Sequence, residues 1–290
     1  MGNALHGVIL TAGTYSNWIG ATLDGTISGN VIAGNDWAGI DIESSNDNVI
    51  LGNTIGLGSD GITALVHPAV GIYVVGSRNR IGSGKLNAGN TISASGYSGV
   101  EVFGANSHDN IIQGNRIGTD TSGTAARPNG TADIYDSIGG VFLGLNTRRT
   151  TVGSDSDGLD DETEGNLISG NLGDGVRIYG SLDNKVAGNL IGTDATGRRA
   201  IPNYNGVRIQ SNSARNQIGG DTQSLRNIIS GNAQSGVLIS QSNDNQIVGN
   251  YIGTGIDGLT AWQINSRVSP SYPAHPETQL EAPQPQQEQP

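Results

Sequence analysis

A glycine, a β-branched residue, any residue and an aliphatic recur eight times along this 290-residue chain. They read GVIL at 7, GIDI at 39, GIYV at 71, GVEV at 99, GVFL at 140, GVRI at 175, GVRI at 206 and GVLI at 236. The steps are 32, 32, 28, 41, 35, 31 and 30 residues. Such a period means one supersecondary unit per repeat. No unit can bury its own apolar side, so neighbours must stack into a common core.

Each unit carries two more strand-like pieces of the form N-x-I/V. One series runs NWI at 17, NVI at 48, NRI at 79, NII at 110, NKV at 184, NQI at 216 and NQI at 245, with TTV at 150 as the departure. The other runs NVI at 30, NTI at 53, NTI at 90, NRI at 115, NLI at 166, NLI at 189, NII at 227 and NYI at 250. A strand of three or four residues has no independent stability. Three of them bent into a triangle, with aliphatics inward and another triangle above, give an all-β solenoid. Backbone pairing between rungs at about 4.8 Å makes eight three-strand rungs roughly 38 Å tall. Gly and Asn are the residues that tolerate corners with positive φ. Stacked Asn amides also ladder from rung to rung, as in cross-β assemblies, so the repeated asparagines read as architecture rather than as ligands. Alternate rungs carry longer IGTD-type loops, and Pro68, Pro128 and Pro202 close three of them.

Composition supports many short strands and turns. Gly is 46 of 290, about twice the usual share, whereas charged residues are 14% and aromatics 4%. Net charge is −11, which argues against non-specific nucleic-acid binding. The absence of Cys excludes disulfides and thiolate metal sites. No apolar run approaches the roughly 18 residues of a membrane helix. The opening residues MGNALHGVIL read as a strand rather than a cleavable leader.

The N-x-I-x-G-N-x-I-G-T-D-x-x-G spelling over residues 3–262 resembles the right-handed parallel β-helix repeat proteins of the pectin-lyase-like superfamily. It is most similar to repeat regions of large bacterial secreted and surface proteins. The resemblance implies a right-handed coil, a β-helix domain over 1–262, and a secreted or cell-surface location. It does not assign an activity, because members of this superfamily do many things. Residues 263–290 hold six of the nine prolines and end PQPQQEQP, which reads as an extended tail or linker. Neither end of the repeat shows an amphipathic cap. Open ends expose unpaired strand edges, which reads either as a module cut from something longer or as end-to-end stacking on another module or subunit.

Rungs four and five are longer, around 127–139 and 152–165, and insertions in solenoids are where binding loops sit. The second holds GSDSDGLDDETE at 153–164. With Gly158 at position six of a calcium loop, Asp155 and Asp157 take positions three and five, Asp161 nine and Glu164 twelve. Position one is Gly153 rather than Asp. Calcium is therefore the expected cofactor, and a solvated acidic loop is the alternative.

The third residue of each G-V-x-I faces away from the core. Up the rungs that gives Ile9, Asp41, Tyr73, Glu101, Phe142, Arg177, Arg208 and Leu238. The next outward positions include Glu43, Phe103 and Tyr179, so both phenylalanines of the chain lie on this stripe. Aromatics stack on apolar sugar faces, acids take hydroxyls, and arginines take carboxylates in bidentate fashion. Asp41, Glu43, Tyr73, Glu101, Phe103, Phe142, Arg177, Tyr179 and Arg208 thus form a candidate surface for a polysaccharide or matrix partner. Cross-strand stacking for stability alone is the competing explanation.

The resemblance also raises a lyase, hydrolase or epimerase. Asp41 and Glu101 are two rungs apart, about 9.6 Å, at the limit for an inverting pair of carboxylates. Arg177, Arg208 and Lys185 are basic candidates for lyase chemistry. The DPHD string of the superfamily's epimerases and the GHG and RIK strings of its hydrolases are absent. GTD at 118 and 192 recurs with the repeat and reads as a turn. No two of the four histidines have metal spacing. A third possibility is a ligand-free spacer or self-associating repeat.

Overall fold

The computed structural model describes residues 2–130 and 138–261. The Pro/Gln-rich segment 263–290 and most of the first insertion lie outside those residues. Twenty-four strands of two to seven residues form three parallel sheets of eight strands each, with no helix among the described residues. The first sheet runs from Val8–Leu10 to Val237–Ser240, the second from Trp18–Ile19 to Gln246–Val248, and the third from Val31–Ile32 to Tyr251–Ile252. Every third strand in sequence pairs with its counterpart one turn later, which is a β-helix of eight rungs.

The core is built of columns of β-branched residues. Ile40, Ile72, Val100, Val141, Val176 and Val207 stack from the first sheet, and Ile50, Ile81, Ile112, Val152, Val186 and Ile218 from the second. All are fully buried. β-Branched side chains on successive rungs stack over one another, which suits their stiffness at χ1.

Three polar ladders run parallel to this column. Before the third sheet, asparagines 30, 53, 90, 115, 166, 189, 227 and 250 form one unbroken series. Each donates its backbone N–H and Nδ2 to Oδ1 of the next; Asn189 Nδ2 reaches Asn227 Oδ1 at 2.9 Å. A second Nδ2 bond goes to a carbonyl one rung back, as from Asn189 to Val152. The ladder before the second sheet breaks at Thr150, whose Oγ1 has no partner although its N–H still bonds Asn184. The third ladder, Asn129–Asn171–Asn203–Asn232, has His67 and Ser95 at the equivalent corners of earlier rungs. His67 is fully buried. Its Nδ1 accepts from the Asn35 N–H at 3.3 Å and its Nε2 donates to the Ile32 carbonyl at 3.0 Å, and burial holds it toward the neutral form. The corners are as tight as the sequence implied. Gly56 has φ +81°, and a Cβ there would fall 1.8 Å from the Ser93 carbonyl oxygen.

Candidate functional site on the outer face of the first sheet

The first sheet brings all nine stripe residues to one face. Register pairs Ile9 with Asp41, Asp41 with Tyr73, Tyr73 with Glu101, Glu101 with Phe142, Phe142 with Arg177, Arg177 with Arg208, and Arg208 with Leu238. A second column beside it holds Glu43, Phe103 and Tyr179. Because Val, Ile and Leu occupy every inward position, the outward side chains are free to differ on every rung.

The face is less open than an exposed stripe. Asp41 is 2% exposed, and Glu101 and Phe142 are each 7% exposed. Tyr73, Phe103, Arg177, Tyr179 and Arg208 are half-buried, and Glu43 is exposed. At the acidic end, His6 Nδ1 lies 3.3 Å from Asp41 Oδ2, while Asp41 Oδ1 has no hydrogen-bond partner. Desolvation pushes the Asp41 carboxyl up to about 6, against the pull of His6. Glu101 accepts from Ser98 Oγ at 3.2 Å, and burial pushes it up to about 7. Burial, with the charges of Glu101 and Asp41 on either side, raises the Tyr73 hydroxyl.

At the basic end, Phe142 and Tyr179 tilt against each other with ring centroids 6.3 Å apart, and the Arg177 guanidinium stands 5.7 Å from the Tyr179 ring. Gly144 makes room for the aromatics: a Cβ there would fall 2.6 Å from Phe142 and 3.1 Å from Phe103. Arg177 and Arg208 are register neighbours, and the Nε of each is buried without an acceptor. Burial disfavours the charge on Arg177, with Asp174 opposing that loss. Asp174 lies 3.9 Å from Arg208 and accepts from Asn205 Nδ2 at 2.7 Å. Two guanidiniums on adjacent rungs place their charges near one buried carboxylate, in a chain of net charge −11.

Sequence reasoning missed His6, Ser98 and Asp174. Asp174 stands one residue before the GVRI of its rung, where other rungs have Ser98 or Ala38, and that substitution was the available signal. The acidic loop lies elsewhere, between the second and third sheets. Asp155, Asp157, Asp161 and Glu164 each offer one carboxylate oxygen within 4.8 Å of the others. Turn bonds hold the loop: Leu159 N–H to Asp157 Oδ1 at 2.8 Å, Gly158 N–H to Asp161 Oδ1 at 3.2 Å, and Asp155 N–H to Glu164 Oε2 at 3.2 Å. Burial and then the Asp155 charge raise the Glu164 carboxyl. Lys185 turns its ammonium to this loop, 3.4 Å from the Asp155 carbonyl oxygen, and so is separate from the arginines. Carboxylates at this density repel unless a cation or water intervenes.

No family model and no curated protein matches this sequence. Among solved structures, a point mutant of the periplasmic alginate epimerase AlgG superposes with a TM-score of 0.51 at 14% identity. Unmutated AlgG gives 0.49 at 16% identity. Both cover 84% of this chain and 48% of the other, so the chain spans about half the length of the structures it matches. At that identity the likeness is one of fold. This chain is a right-handed parallel β-helix.

Proposed function

We propose that the chain is a secreted or cell-surface β-helix module that binds an acidic polysaccharide along the outer face of its first sheet. The observation that carries this reading is the Arg177–Arg208 pair. Two register-locked guanidiniums lie beside an aromatic pair, each with a buried Nε that has no acceptor. Both side chains are only half-buried, so a carboxylate or sulfate on a sugar would pair with the guanidinium charges that the protein leaves weakly paired. The tyrosine and phenylalanine rings supply stacking area next to it, and the rung spacing continues the surface along the axis. The periplasmic location of AlgG agrees with an extracytoplasmic setting. Calcium bound by Asp155, Asp157, Asp161 and Glu164 would order the second insertion. The test is affinity electrophoresis through gels holding alginate, pectin, a sulfated glycan or neutral cellulose, each with calcium and with chelator. Retardation by the acidic polymers, lost in Arg177→Ala and Arg208→Ala, is expected. Equal free migration in every gel overturns the reading.

A second reading is catalytic, as a polysaccharide lyase, hydrolase or epimerase. The observation in its favour is the pair of carboxyls, Asp41 near 6 and Glu101 near 7, flanking Tyr73. Such acids hold and release a proton near neutral pH. Shortened or isomerised polymer after incubation, lost in Glu101→Gln, would mark this activity.

A further inference from the structure

We infer that copies of this chain stack head to tail, the last rung of one against the first rung of the next, into short rods. The argument starts from core positions that keep their identity but lose their cover. Ile209, Ile218 and Ile229 in rung seven are fully buried. Their counterparts one rung later, Ile239, Ile247 and Ile252, are 39%, 39% and 46% exposed. Sequence places three core isoleucines on a face that no other described residue covers as a further rung would. At the opposite end Val8 and Leu10 are half-buried on the first rung.

Hydrogen bonding gives the contact its direction. In each Asn ladder the backbone N–H and Nδ2 of one rung donate to Oδ1 of the next. The Asn17 and Asn30 Oδ1 atoms therefore begin two ladders with no donor among the described residues. Asn245 and Asn250 end them, each with a backbone N–H that has no acceptor there. Open acceptors lie on the first rung and open donors on the last, at the same two corners of the same triangle. Joining last rung to first continues both ladders, whereas last to last opposes donors with donors. Strand edges on both faces present further unpaired N–H and C=O groups, so an uncovered end is a template for pairing.

Charge favours the chain's own first rung as the occupant. A corner column with positive φ alternates Asp47, Arg78, Asp109, Arg149, Asp183 and Arg215, and Asp244 ends it. An acidic residue at the same corner of the incoming rung would repel Asp244. The first rung has Ser16 there, at φ 55° against 57° for Asp244, and its hydroxyl can donate to a carboxylate. The contact is heterologous and its operator is a translation along the coil axis, which does not close into a ring, so rods of varied length are expected.

Sedimentation velocity of the full chain over a hundredfold range of concentration tests this. Two variants block one face each. Ile247→Arg places a charge on the last rung. Val31→Pro removes an outward-edge N–H on the first rung, where the bonds to the second rung use the carbonyls of Asn30 and Ile32. The wild-type chain is expected to show species growing with concentration. Each variant alone is expected to be a monomer with unchanged circular dichroism, and an equimolar mixture of the two should give a dimer and nothing larger. A wild-type monomer at every concentration overturns the inference. So does assembly that both variants leave intact, or a mixture that stays monomeric while the wild type assembles.

Discussion

The Asn ladders and the outer column of the first sheet occupy the same rungs and follow opposite rules. In the ladder before the third sheet, eight successive positions hold the same residue and each amide between the end rungs is spent on its neighbours. On the outer column no two rungs agree except Arg177 and Arg208, and buried atoms there lack partners: Asp41 Oδ1, Arg177 Nε and Arg208 Nε. Repetition with complete satisfaction marks shape. Variation with unsatisfied polar groups marks the region where a ligand would add stability, because buried polar groups in proteins are normally paired.

The largest effect should come from breaking a ladder. Asn189→Ala leaves the buried N–H and Nδ2 of Asn166 without their acceptor, and removes the bonds to Asn227 and Val152. We expect a loss of roughly 3–5 kcal/mol in urea unfolding, given about 1–3 kcal/mol for each stranded buried group. A loss below about 1 kcal/mol would mean that water replaces the ladder.

The acidic half of the outer column should cost stability when ionised. Glu101 moves from an ordinary 4.5 to about 7 on folding, so the folded chain holds this proton more tightly than the unfolded chain. Between about pH 4.5 and 7 stability therefore falls as pH rises, by on the order of 3 kcal/mol for this group. Asp41, pushed up to about 6, adds in the same direction. The thermal midpoint should drop by roughly 5–10 °C from pH 5 to 8. Glu101→Gln should flatten that drop, and an unchanged slope would show that Glu101 is not the group titrating.

The basic half should report on ligand rather than on fold. Arg177→Ala is expected to weaken retention on an acidic polymer by about tenfold or more, at 1.5–3 kcal/mol for a charge-assisted bond. Its stability to unfolding should stay the same or rise, since a half-buried charge with an unpaired buried Nε is removed. A loss of several kcal/mol would instead mark Arg177 as a structural partner of Asp174. Calcium should slow proteolysis within 155–164 and chelator should reverse this, with Asp157→Asn insensitive to both. The smallest effect belongs to the corner pairs. Arg149→Ala breaks a bidentate contact with Asp109 at 2.7 and 2.9 Å, yet the pair is solvent-exposed. We expect no resolvable change in the unfolding midpoint at physiological salt.

Sequence alone determined the rung count, the three strands per rung and which side chain of each G-V-x-I points inward. Those follow from local rules: strand alternation, corners that require positive φ, and a period that repeats them. The acidic loop was legible for the same reason, since its four carboxylates lie within ten residues and one turn gathers them. The alternating Asp/Arg corner column was also present in the sequence, at 47, 78, 109, 149, 183 and 215, but shows only once the rungs are aligned on the N-x-I series. The tertiary structure decided what the outward residues experience. Whether Asp41 is solvated or buried beside His6, and whether Arg208 finds a carboxylate in Asp174, depends on segments 30 or more residues away. Periodicity fixes direction, but burial and pairing are sums over neighbours that no single repeat contains.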